Sequence, residues 1–83
     1  MSVFKILNEN WDDYDNKKIR DKRDSVFFAC TEQWEVEYLV SKIKKHFPHH
    51  SEATIRNAIV SCCRTIDSPH PRQKLVQCVV SKL

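Results

Sequence analysis

The sequence predicts a mainly α, compact three-helix domain with an N-terminal extended segment or small β-hairpin. Three observations predict it. Apolar residues recur at helical spacing in three segments of the C-terminal two-thirds. The breaks between those segments fall at Pro48 and at the Pro69 and Pro71 pair. The first thirty residues instead carry two short runs of β-branched and aromatic side chains. Eighty-three residues make one domain at most, so 1–30 is expected to cover a core built from 31–83.

In chain order, Val3-Phe4-Lys5-Ile6-Leu7 and Ser25-Val26-Phe27-Phe28-Ala29-Cys30 are the two strand candidates. Between them Asp12 to Asp24 is polar, with room for a helical turn around Asn16 to Lys22. The first long helix is predicted over 32–46. Thr31 offers an N-cap, Glu32 and Glu35 suit the positive end of the dipole, and Pro48 stops the segment. Val36, Leu39, Val40, Ile43 and Phe47 form its apolar face.

The second helix starts after Ser51, with Ile55, Ala58, Ile59, Cys62 and Ile66 as its stripe. The third follows Asp67-Ser68-Pro69-His70-Pro71 and turns Leu75, Val76, Val79 and Leu83 inward. Short connections place consecutive helices side by side. Trp34 and Tyr38 lie nearly opposite the first helix's apolar face and need a cover. The N-terminal segment is expected to supply it, through Phe4, Ile6, Trp11 or Phe27; left uncovered, the two aromatics would form a partner-binding patch.

The chain holds no glycine. Phosphate-cradling loops, nucleophile elbows and EF-hand turns all require that residue's conformational freedom, so those functions are excluded. Residues 1–37 hold six basic and nine acidic side chains, a net −3, and residues 38–83 hold eight and two, a net +6. Either the halves pair with each other or the basic half faces an acidic partner.

No signal-peptide core or membrane-length apolar run is present, so a cytoplasmic location away from membranes is expected. There Cys30, Cys62, Cys63 and Cys78 should stay reduced. Cys62 and Cys63 are adjacent and point about 100° apart on a helix, unsuited to sharing one metal ion. His46, His49 and His50 straddle a proline stop and read as turn residues, so neither metal nor cofactor is expected. Cys63 beside Arg64 is the best nucleophile candidate, but no spacing pairs it with a histidine. Asp12, Asp13 and Asp15 read as a solvated, turn-forming run.

Two stretches carry resemblances. Ser51-Glu52-Ala53-Thr54-Ile55-Arg56-Asn57-Ala58-Ile59, preceded by Leu39 to Lys45 and a turn, resembles a helix-turn-helix DNA-binding segment. That resemblance implies Asn57, Ser61 and Arg64 on the outward face, with Lys42, Lys44, Lys45 and Arg56 near phosphates. Arg23-Asp24, an apolar stretch and then Thr31 to Leu39, with Trp34-Glu35-Val36-Glu37-Tyr38 opening a first helix, is similar to a family of small bacterial domains of unknown function. It implies three helices and carries no activity over.

The function expected is that of a non-enzymatic binding or regulatory module acting through protein–protein contacts. The alternative is a DNA-binding protein using the helix from Glu52. Candidate partner-binding residues are Trp34, Tyr38, Lys42, Lys45, Arg56, Asn57 and Arg64. An unknown protein partner is expected first and nucleic acid second. A homodimer is a further option for so small a core.

Overall fold

The computed structural model describes residues 2–22, 26–66 and 70–83; Met1, Ser25 of the second strand candidate, and Asp67-Ser68-Pro69 of the breaker cluster lie outside them, as does the Arg23-Asp24 pair. Helices dominate, as the periodicity predicts. They are α1 (Ser2–Leu7), α2 (Asp12–Arg20), α3 (Gln33–His46), α4 (Glu52–Thr65) and α5 (Arg72–Ser81). Two short strands, β1 (Phe27–Phe28) and β2 (His70–Pro71), pair antiparallel with Phe27 opposite Pro71 and Phe28 opposite His70.

The three long helices fall where their apolar stripes place them, with α4 packed between α3 and α5. Leu39, Val40 and Ile43 of α3 meet Ile55, Ile59 and Cys62 of α4 and Leu75, Val76 and Val79 of α5, all buried. Ser51 caps α4 as its position suggests, its hydroxyl accepting the Thr54 backbone N–H at 3.1 Å. Glu32 rather than Thr31 is the N-cap of α3, and Pro71 sits just ahead of the first turn of α5.

The N-terminal third differs from its expected form. Val3 to Leu7 is helical, not extended, and packs on α5 and α3 through the fully buried Ile6. The partner of β1 is therefore β2, and Arg72 N–H extends the pairing by donating to Val26 O at 2.8 Å. A single inward residue per turn suffices for a short helix on a ready-made core, which overrides the strand propensity of Val3 and Ile6. The turn expected around Asn16 to Lys22 is a full helix, α2, with Asp12, Asp13 and Asp15 in its first turn and Lys17, Lys18 and Arg20 in its last. Those charges complement the dipole at both ends.

All four cysteines are paired, which corrects the expectation of reduced thiols. Cys30 bonds Cys63, with Cα atoms 6.2 Å apart, and Cys62 bonds Cys78 across 6.0 Å. The divergence of adjacent helical residues is the physical reason. Cys62 points inward from α4 to α5, while Cys63 points sideways to the segment that leads into α3. The same angle that bars the pair from one metal ion gives each sulfur its own partner. Among the described residues no cluster of histidine, cysteine or carboxylate side chains has metal-binding geometry, and no helix is long and apolar enough to cross a membrane.

Candidate functional site

Glu35 is fully buried in the first turn of α3, one turn ahead of Leu39. Its carboxylate accepts from Tyr14 Oη at 2.6 Å, from Lys18 Nζ at 3.1 Å on both oxygens, and from the Ala29 backbone N–H at 2.9 Å. Lys18 also donates to Phe27 O at 2.8 Å. One carboxylate thus ties α2, β1 and the turn after it to α3. Burial first, then the hydrogen bond to Glu35, pushes the Tyr14 phenol far above its ordinary range. Every donor and acceptor in the group is engaged internally, so the trio is a clasp.

Around the clasp lies the cover that Trp34 and Tyr38 require. Tyr14 packs against Trp34 with centroids 5.4 Å apart and against Tyr38 at 5.5 Å, and Trp11 meets Tyr38 at 5.6 Å. The Trp11 indole donates to Ile6 O at 2.9 Å. Lys17 lies over the Trp34 ring, and Arg72, paired with Asp15 at 3.0 Å, lies over Trp11. Trp34 and Tyr38 are half-buried beneath α2; of the expected candidates Phe4, Ile6, Trp11 and Phe27, Trp11 packs on Tyr38, and Tyr14, which was not among them, packs on both. Burial, and then the charge of Asp13, raise the Tyr38 phenol.

The basic candidates separate. Lys42 is buried, its ammonium donating to Asn10 O at 2.6 Å and pairing with Glu9 at 3.3 Å. Glu9 also hydrogen-bonds His46 and lies 3.9 Å from Lys45, whose side chain is otherwise in solvent. Burial would raise the Glu9 carboxyl, but hydrogen bonds from His46 and Lys42 outweigh it and leave it below its ordinary value. Arg56 is held by Glu37 at 2.6 Å. Lys44 closes the α3–α4 connection by donating to Pro48 O at 3.1 Å and His50 O at 2.6 Å. Asn57 and Arg64 are exposed on α4. The acidic half therefore neutralises much of the basic half from within.

A different surface stands out. Where α1 runs beside α5, Val3, Phe4, Gln77, Val80 and Ser81 line an open groove of about 430 Å³. Phe4 is 57 % exposed there. At the other end of the same seam Leu7, Val26, Arg72 and Gln73 line a second hollow, with Val26 58 % exposed. None of these residues was singled out as a binding candidate from the sequence. The available signal was Val80, an apolar residue 100° off the inward face of α5 and so directed at a neighbour other than α4.

The chain matches no family model, no curated protein and no solved structure.

Proposed function

We propose that this protein is a non-enzymatic docking module that acts through protein–protein contacts, with the α1–α5 seam as its working face. The exposed Phe4 beside an apolar groove carries the reading. A lone surface phenylalanine is unremarkable, but one continuous with Val3 and Val80 makes a patch of the kind that marks an interaction site. The sulfurs and the Glu35 clasp support a non-enzymatic role, since neither a free thiol nor an unengaged carboxylate is offered there.

The rival reading, DNA binding through α4, is favoured by the exposure of Asn57 and Arg64. Weighing against it, Lys42, Lys44 and Arg56 are committed to internal contacts, leaving few cations for phosphates. The two disulfides favour an oxidising compartment over the cytoplasm that the sequence suggested.

Selection of random displayed peptides on the oxidised protein tests the docking reading. The expected ligands lose binding to the Phe4→Asp variant and keep it with Arg64→Glu. Ligands indifferent to Phe4→Asp would overturn it. So would salt-dependent binding to duplex DNA that disappears with Arg64→Glu.

A further inference from the structure

We infer that the partner segment docking on the α1–α5 seam is an amphipathic helix whose apolar face is flanked by carboxylates. The inference rests on the docking reading above and adds the chemistry of the occupant. The groove is a trough between two helices, lined by Val3, Phe4 and Val80 with Gln77 and Ser81 at its edge. A trough of this form takes a helix that presents apolar residues three and four apart.

Charge selects among such helices. Neither α1 nor α5 contains an aspartate or glutamate, whereas Lys5, Lys74 and Lys82 on and beside them are exposed. Lys74 stands on the outer rim of α5, less than a turn from Gln77 and about two turns from Ser81. Elsewhere this protein meets its cations with its own carboxylates, as Glu9 meets Lys42 and Glu37 meets Arg56, and at the far end of the seam Asp15 takes Arg72. At the Phe4 end of the seam the complement to Lys5, Lys74 and Lys82 has to come from outside.

A second copy of the chain is disfavoured by the same charges. A twofold contact sets a patch against itself, so lysines would face lysines. An anionic bilayer matches the charge but not the shape. The apolar residues line a hollow, and three lysines fall short of the cluster of about four to eight that membrane adhesion uses.

The test is titration of the oxidised full chain with two synthetic helical peptides. Both carry leucine on one face; one has glutamate on its flanks and the other lysine. The glutamate peptide is expected to bind at least about tenfold more tightly. Its affinity should fall with added salt, and again by about tenfold or more in Phe4→Asp and in Lys74→Glu. Phe4 and Lys74 are exposed, so both variants should retain the wild-type circular dichroism. Equal binding of both peptides, still lost with Phe4→Asp, would overturn the acidic partner and leave the docking face standing. Peptide binding that survives Phe4→Asp, or no peptide binding at all, would overturn both. Adsorption to phosphatidylserine vesicles without peptide binding would give the seam to a lipid surface. A dimer in sedimentation that Phe4→Asp dissolves would give it to a second copy. Either result overturns the inference.

Discussion

Tyr14 donates its phenolic hydrogen to the carboxylate of Glu35 across 2.6 Å, at a point where neither residue reaches water. Lys18 completes the arrangement from the next turn of α2. A buried ion pair adds little net stability over an apolar pair of the same size, yet removing one partner strands the other. Glu35→Leu should therefore destabilise the fold by about 3–5 kcal/mol, and combining it with Lys18→Met should recover much of that loss. Urea denaturation of both variants decides the matter. A single substitution costing under about 1 kcal/mol would show that Lys18 finds water.

Both tyrosines of the chain are shifted upward from an ordinary value of 10.0. A phenol raised in the folded state stays protonated where its unfolded counterpart ionises. Stability is thus complete below 10 and falls as the pH climbs above it. Absorbance of tyrosinate during alkaline titration should stay low past the ordinary value and rise together with loss of helical circular dichroism. Early ionisation of one tyrosine in a still-folded protein would point to Tyr38, the half-buried one, and ionisation of both would contradict the burial of Tyr14.

The long helices were legible because their information is local. An apolar stripe, a serine cap and a proline stop all lie within a few residues of the element they define, as Ser51 to Ile59 illustrates. The helical cover was harder to read. Val3 to Leu7 has strand-like composition, and only a preformed surface on α5 and α3 makes a helix its better state. The Glu35 clasp joins residues 17 and 21 positions apart, with no spacing rule to announce it. The cysteines show the converse. The angle between Cys62 and Cys63 was evident, but which neighbours the two sulfurs meet depends on how α5 and the segment before α3 pack.

The disulfides make a prediction of order. Cys62 is fully buried, whereas both members of the Cys30–Cys63 bond are partly accessible. Graded reduction followed by alkylation and peptide mapping should label Cys30 and Cys63 before Cys62 and Cys78. Replacing Cys62 and Cys78 by alanine should cost about 3 kcal/mol, the entropy of freeing a loop of that length. An intact oxidised chain should weigh four hydrogens less than the reduced one. Equal masses would mean that the thiols are free.

Acid should loosen the junction of α1 and α2 with α3. Glu9 is shifted below its ordinary value of 4.5; burial opposes the shift, and His46 and Lys42 prevail. A carboxyl lowered in the folded state contributes stability that is complete above its unfolded value and is lost as the pH falls through the folded one. The urea midpoint should decline below about pH 4.5, and Glu9→Gln should remove that part of the decline while lowering the midpoint at neutral pH. Parallel acid profiles for the two proteins would assign the loss to another group.

Lys22 follows from the absence of glycine. It is the described residue with positive φ, at 60°, immediately past the C-cap of α2. Its backbone N–H donates to Ile19 O at 3.0 Å, closing the helix in the way a glycine ordinarily would. A side chain in the left-handed region costs about 1 kcal/mol, because Cβ crowds the following carbonyl. Lys22 is exposed and its backbone already has the required form, so Lys22→Gly relieves the crowding without disturbing a packed contact. The relief is offset in part by the greater freedom that glycine gives the unfolded chain. A net gain of about 0.5 kcal/mol is expected, visible as a higher urea midpoint at unchanged slope. Lys22→Ala, which keeps Cβ, should show no such gain, and a gain of equal size there would place the effect in the lysine's charge instead.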